Sequence, residues 1–190
     1  MRASKAWKGC AAGIVGGLAA TLVMTGFQSV WNAAASHSNG NGAGRNHSNG
    51  NHAREEENRR AQANNQDSGK ENPTDKVADK ILGVSGREPS PQLKKKGGAI
   101  VHYGFGTLMG ALYGAALEFA PRNYRREAIS SGLLWGGTLF AVADEIALPT
   151  LQLSDRPTQT PLSTHIYGLV SHLVYGATAG VVTQSIREKI

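Results

Sequence analysis

The chain has 190 residues, a length that suits one domain, and it carries a formal net charge of +6. Its single cysteine, Cys10, excludes an internal disulfide and a cysteine-rich metal centre. Few aromatic residues interleave with the basic ones and no nucleic-acid-binding motif is present, so we expect no nucleic-acid partner.

The mean hydropathy of −0.30 averages two different kinds of sequence. A polar block covers roughly residues 32–96, and long apolar blocks lie on either side of it. Soluble helices usually keep a charged face, which these blocks largely lack. We therefore predict an all-α integral membrane protein with four transmembrane helices. Each predicted helix reaches the length of about 20 residues that a bilayer requires: Cys10–Trp31, Gly97–Ala120, Ala128–Leu148 and His165–Ile186.

Residues 1–32 form a basic end followed by the first transmembrane helix. Arg2, Lys5 and Lys8 precede the apolar run, and the alanines at 33–35 resemble a signal-peptidase site. The run exceeds the apolar core of a usual signal peptide, which is about 7–15 residues. We therefore favour an uncleaved membrane anchor, with a cleaved signal peptide as the alternative.

Residues 33–73 form a low-complexity spacer. The pentapeptide His-Ser-Asn-Gly-Asn occurs at 37–41 and again at 47–51. A stretch of this composition buries too little apolar surface to offset its ordering entropy, so we predict disorder. Its histidines indicate a solvated tail rather than a metal site.

Residues 74–96 contain a short amphipathic helix and a basic linker. Val77, Ala78, Ile81 and Leu82 have helical spacing, which predicts a helix lying at the membrane surface. Three lysines at 94–96 then lead into residues 97–190, which hold the second, third and fourth transmembrane helices.

Glycine and alanine dominate the predicted helices and indicate how they pack. In lipid, helices associate by close backbone approach through small residues rather than by the hydrophobic effect. Each predicted helix carries glycines four residues apart, which favours a compact bundle. The predicted packing glycines are Gly13, Gly17, Gly106, Gly110, Gly114, Gly132, Gly136, Gly176 and Gly180.

Polar side chains inside these helices are the candidate functional residues, because such groups are costly in lipid and face the protein interior. At about 100° per residue, His165 shares a face with His172, and Asp144 shares a face with Gly137. In an alternating hairpin path the ionisable members all fall on one side of the bilayer. The predicted intramembrane cluster comprises His102, Asp144, Glu145, His165 and His172, with Tyr113 and Tyr175 nearby.

Three interpretations of this cluster are open. It is a hydrogen-bonded network that sets helix register, a site for protons, cations or a small polar ligand, or a metal or haem site held by His102 and His172. No serine-nucleophile, zinc-protease or phosphate-loop motif is present, so we assign no catalytic residues, no cofactor and no enzymatic activity. A further alternative is a structural or assembly role, in which the glycine faces bind other helices.

Short-loop charges predict the orientation of the chain. Arginines and lysines concentrate before the first helix, between the second and third, and after the fourth, which places both termini in the cytoplasm. The expected partners are the lipid bilayer and either further copies of the chain or other membrane proteins.

Several short runs resemble the YagU-like family, a group of bacterial inner-membrane proteins of unknown function. The resemblance covers about Ala11–Trp31 and Lys76–Ile186 but not the spacer. It implies a multi-pass helical fold in the bacterial inner membrane and no particular reaction. The runs that carry it are His102–Thr107, Gly110–Gly114, Ala143–Glu145 with Pro149, and Ser171–Gly176.

Overall fold

The computed structural model describes residues 3–39, 73–83 and 91–190, and within them it is helical with no strands. Most of the predicted spacer lies outside the described residues, including the second copy of the pentapeptide at 47–51 and the last two residues of the first copy. The elements in chain order are α1 (Ala3–Asn39), α2 (Pro73–Gly83), α3 (Pro91–Phe119), α4 (Arg122–Arg126), α5 (Ala128–Leu139), a π-helical segment (Phe140–Ala147), α6 (Leu148–Thr150), a 3₁₀ turn (Pro157–Gln159) and α7 (Leu162–Arg187).

Helices α1 and α3 pack antiparallel through their glycines. A methyl group added at Gly114 would meet the carbonyl oxygen of Gly9, and one added at Gly17 would lie 2.6 Å from the carbonyl oxygen of Gly106. Gly110 likewise lies against the backbone of Gly17. Only glycine allows this approach, because any β-carbon would collide with the facing backbone.

Helices α5 and α7 form a second antiparallel pair of the same kind. Gly132 lies against the carbonyl of Gly176, Gly136 lies against the carbonyl of His172, and Gly180 lies against Ala128. The two hairpins join where α1 packs on α7, and Gly16 of α1 sits against Thr183 there. Gly16 was not among the predicted packing glycines.

The interior of the bundle is made of small and polar residues, whereas the large apolar side chains face outward. Ala12, Ala20, Thr21 and Ala179 are buried. The buried core cluster adds only a few larger residues: Met24, Leu139 and Tyr175. Leucine, isoleucine and valine side chains dominate the outer surface, and Ile100 is 73% exposed. This distribution is the reverse of a soluble bundle and matches a helix bundle whose exterior contacts an apolar medium.

Among the described helices, three have the length and composition of membrane spans, at Ala6–Ala35, Lys96–Phe119 and Leu162–Arg187. The predicted third span, Ala128–Leu148, differs in form. It falls within consecutive helical segments of 12, 8 and 3 residues that run from Ala128 to Thr150, the middle one π-helical. Pro149 follows the π-helical segment and lacks the N–H that the carbonyl of Glu145 would accept in a regular helix.

Several helices extend beyond their predicted bounds, and two of these extensions have a clear cause in the sequence. Helix α1 continues beyond residue 32 to Asn39, because Ala33–Ala35 are strong helix formers and no proline or glycine stops the helix there. Helix α3 begins at Pro91, before the three lysines, since proline suits the first position of a helix.

Helix α2 forms where the sequence predicts a short amphipathic helix. It packs on the beginning of α3, where Asp75 lies against Gly98 and leaves no room for a β-carbon. Ala78 is buried, and the Lys80 ammonium group donates to the carbonyl of Leu151 at 3.3 Å. Helix α2 therefore covers the end of the bundle at which α3 and α7 begin.

Candidate functional site

Two imidazole–carboxylate pairs lie between the π-helical segment and α7. His165 Nδ1 is 2.6 Å from Glu145 Oε1, and His172 Nδ1 is 3.6 Å from Asp144 Oδ2. Adjacent carboxylates thus meet histidines that stand two turns apart on α7. Helical side chains lean toward the N-terminus of their own helix. Since the two helices are antiparallel, His172 and Asp144 lean toward each other.

The His165–Glu145 contact holds a proton. His165 Nε2 lies 3.0 Å from the carbonyl oxygen of Pro157, which can only accept, so Nε2 is a donor. The 2.6 Å contact on the other side of the ring then requires one more proton, on either Nδ1 or the carboxyl group. An imidazolium ring that donates through both of its nitrogens satisfies both contacts.

His172 has one ring nitrogen committed to the backbone. Its Nδ1 donates to the carbonyl of Gly168 at 2.9 Å, which leaves Nε2 as the acceptor of a neutral ring. The Phe140 ring packs against this imidazole with centroids 5.9 Å apart.

His102 contacts α1 through Thr25. The Thr25 hydroxyl donates its single proton to the carbonyl of Thr21 at 2.8 Å, so it accepts from His102 Nε2 at 3.3 Å. Thr21 and Thr25 continue the four-residue spacing of Gly9, Gly13 and Gly17 on α1. Neither threonine is among the predicted site residues, although their spacing continues that of the predicted packing glycines.

The two tyrosines of the predicted cluster lie further along the bundle. Tyr175 is buried and donates to the carbonyl of Gly106 at 2.5 Å, one turn beyond His102 on α3. Tyr113 is buried near the opposite end, where its hydroxyl lies 2.8 Å from Ser131 Oγ. Tyr113 therefore does not contact the imidazole–carboxylate pairs.

The π-helical segment determines which residues face α7. Bonds from residue i to i+5 place more residues in each turn than an α-helix has, so each residue turns through less than about 100°. Asp144 therefore shares a face with Gly136 and Phe140, both of which contact α7. The predicted shared face with Gly137 is wrong, because a β-carbon at Gly137 would meet nothing within 4 Å.

A repeated pattern links the two hairpins. The runs His102–Gly110 and His172–Gly180 both read His-x-x-aromatic-Gly-x-x-x-Gly. In each run the glycines pack on a neighbouring helix and the histidine lies at the end of the glycine contact. This pattern is the sequence signal that relates His102 to His172.

Across the described parts of the chain, no three His, Cys, Asp or Glu side chains converge in a way that could hold a metal ion. The ionisable groups instead meet in pairs. No family model, curated protein or solved structure matches this chain. Its function therefore has to be inferred from the geometry of its polar groups.

Proposed function

We propose that this chain is a multi-pass protein of the bacterial inner membrane that takes up and releases protons at the cluster formed by His102, Asp144, Glu145, His165 and His172. The observation that carries the proposal is the 2.6 Å contact of His165 Nδ1 with Glu145 Oε1, on a ring whose Nε2 lies 3.0 Å from the carbonyl oxygen of Pro157. Ionisable groups inside a membrane-spanning bundle are characteristic of proton relays. The proposed role is non-enzymatic, since moving a proton between sites converts no substrate into a product.

The outward-facing apolar side chains support the membrane location. The segments from residue 128 to residue 150 are helical without a break and, at about 1.5 Å per residue, are long enough for a hydrocarbon core of about 30 Å. We propose that they form the fourth span, with both termini in the cytoplasm. The runs around His102, Asp144 and His172 carry the resemblance to the YagU-like family, and we propose membership on that basis.

Polar groups lie beside helix α3 along the length of the bundle. In order from His102, these groups are Tyr175, which contacts Gly106, then Tyr113 and then Glu118. These positions are separated along the axis by about 6, 10 and 8 Å, using a rise of 1.5 Å per residue. Each step is longer than a hydrogen bond, so transfer along this line requires water between the groups.

A structural role remains the alternative from the sequence. The nine predicted packing glycines contact other helices of the same chain, for example Gly110 with Gly17 and Gly136 with His172. An assembly role would therefore have to use other surfaces. Proton handling is the function that the geometry of the cluster favours.

Flux measurements on reconstituted protein test the proposal. In liposomes loaded with a pH-sensitive dye, we expect an imposed pH gradient to dissipate faster with the protein than without it. Asp144→Asn removes the inner carboxylate and is expected to lower this rate at least tenfold. Glu127→Gln is the matched control, because Glu127 accepts from Ser130 at the other end of the bundle and should be dispensable.

The outcome is decisive in both directions. A wild-type rate equal to that of empty liposomes, or an unchanged rate in Asp144→Asn, would refute proton handling. Equal losses in Asp144→Asn and Glu127→Gln would indicate a general defect of the bundle rather than a site.

A further inference from the structure

At the end of the bundle opposite the histidines, four arginines converge around one cavity. The cavity measures about 350 Å³, within the lower part of the range of about 300–1,000 Å³ typical of ligand pockets. Arg122, Arg125 and Arg126 come from α4, the short helix that turns the chain from α3 to α5, and Arg187 comes from the last turn of α7.

The carboxylates near this cavity leave most of its positive charge uncompensated. Glu118 is buried and binds one of the four arginines, with its Oε1 2.8 Å from Arg187 Nε. Glu127 accepts from Ser130, and Glu188 accepts from Gln184. Within the described residues, the guanidinium groups of the three α4 arginines have no ion pair with a carboxylate.

The Arg125 side chain has a hydrogen-bond donor that lacks an acceptor. Its Nε atom is buried and has no hydrogen-bond partner within the described part of the chain. Buried donors in proteins are almost always paired, by protein, water or a ligand. Arg125 is one of the residues that line the arginine cavity, so an anion bound there, with a small shift of this side chain, supplies the acceptor that its Nε lacks.

We propose that this arginine cavity binds the phosphate of an anionic phospholipid headgroup. Guanidinium groups bind phosphate through paired N–H donors. Basic pockets at the cytoplasmic end of membrane helices suit such headgroups. The inference rests on the proposed membrane location, which places the helix ends, and the cavity with them, at the level of the headgroups.

The orientation of the chain in the membrane does not by itself explain the arginine cavity. The positive-inside rule requires charge, which lysine supplies as well as arginine. It does not require a buried Nε donor. Arg125→Lys therefore separates the two explanations, because it keeps the charge and removes the donor.

Lipid binding by the full chain, purified in detergent, is measured by native mass spectrometry with phosphatidylglycerol and, separately, phosphatidylcholine. We expect selective retention of phosphatidylglycerol and a loss of about tenfold in its affinity in Arg125→Lys, the effect of losing one charged hydrogen bond. Arg156→Lys is the matched control, because Arg156 is exposed in the loop before α7 at the opposite end, and its affinity should stay within twofold of wild type.

Inorganic phosphate is added as a competitor to distinguish the two sources of the anion. Displacement of phosphatidylglycerol by millimolar phosphate would show a site for a free anion and overturn the lipid assignment. Equal retention of both lipids, or unchanged affinity in Arg125→Lys, would also overturn it. Each of these results leaves the proposed proton handling intact, whereas a chain that does not associate with membranes would end the membrane proposal itself.

Discussion

At the residue scale, the two acid–base contacts at opposite ends of the bundle differ in burial. The side chains of His165 and Glu145 are 24% and 26% exposed, whereas those of Arg187 and Glu118 are 15% and 8% exposed. Exposed pairs contribute little to stability, but removing one partner of a buried pair leaves an uncompensated charge. The buried pair is therefore the structural one, and the more exposed pair can exchange its proton with the surroundings.

We predict that Glu118→Gln lowers the free energy of unfolding by about 3 kcal/mol, because Arg187 is left buried without its carboxylate. Glu145→Gln should cost about 1 kcal/mol or less, since its pair is partly exposed. Thermal unfolding of the detergent-solubilised protein, followed by circular dichroism, measures both. Similar losses in the two variants would show that burial does not set the importance of these pairs.

At the residue scale, the depth of a side chain along its helix and its rotation about the helix axis differ in what the sequence can predict. Depth along each helix depends only on residue position, so the sequence places His102, Asp144 and His172 toward one end. The pairing of each histidine with a particular carboxylate depends on helix rotation. The π-helical segment changes that rotation, and its hydrogen-bond pattern has no simple sequence signal beyond Pro149. The pairing could therefore not be predicted.

At the element scale, glycine contacts hold the two hairpins together. Gly110 lies against Gly17 on the facing helix, whereas a β-carbon at Gly104 would meet nothing within 4 Å. Both glycines are on α3 and both would receive the same side chain in a leucine variant. The two positions therefore form a matched pair for testing the close approach of α1 and α3.

We expect Gly110→Leu to destabilise the bundle by at least about 3 kcal/mol, the upper part of the usual range for overpacking, because backbone lies on the other side of the contact. Gly104→Leu should leave stability within about 0.5 kcal/mol of wild type, as for most surface changes. Thermal unfolding in detergent provides the comparison. Equal stability of the two variants would mean that α1 and α3 do not pack through this face.

The four-residue glycine spacing predicts such contacts because small residues four apart line one helix face. It does not specify the partner helix. The pairing of α5 with α7 follows from the short antiparallel connection between them. The pairing of α1 with α3 does not follow from such a connection. For α1 and α3 the long spacer between them leaves the partner open, and the structure supplies it.

At the scale of the whole molecule, small residues fill the interior of the bundle and large apolar residues cover its surface. Within the described residues, three helices satisfy the length and composition of membrane spans, and Thr21, Ser171 and Thr183 are buried between the helices. The histidine cluster and the arginine cavity occupy opposite ends. Both proposed roles depend on the bundle spanning a bilayer, with the histidine cluster toward one surface and the arginine cavity toward the other.

Fractionation of cells that express the full chain tests the membrane location most directly. We predict that the protein pellets with membranes, resists extraction by alkaline carbonate and dissolves only in detergent, because Ile100, Leu22 and similar side chains face outward. Recovery of the chain from the aqueous fraction as a detergent-free monomer would contradict the account.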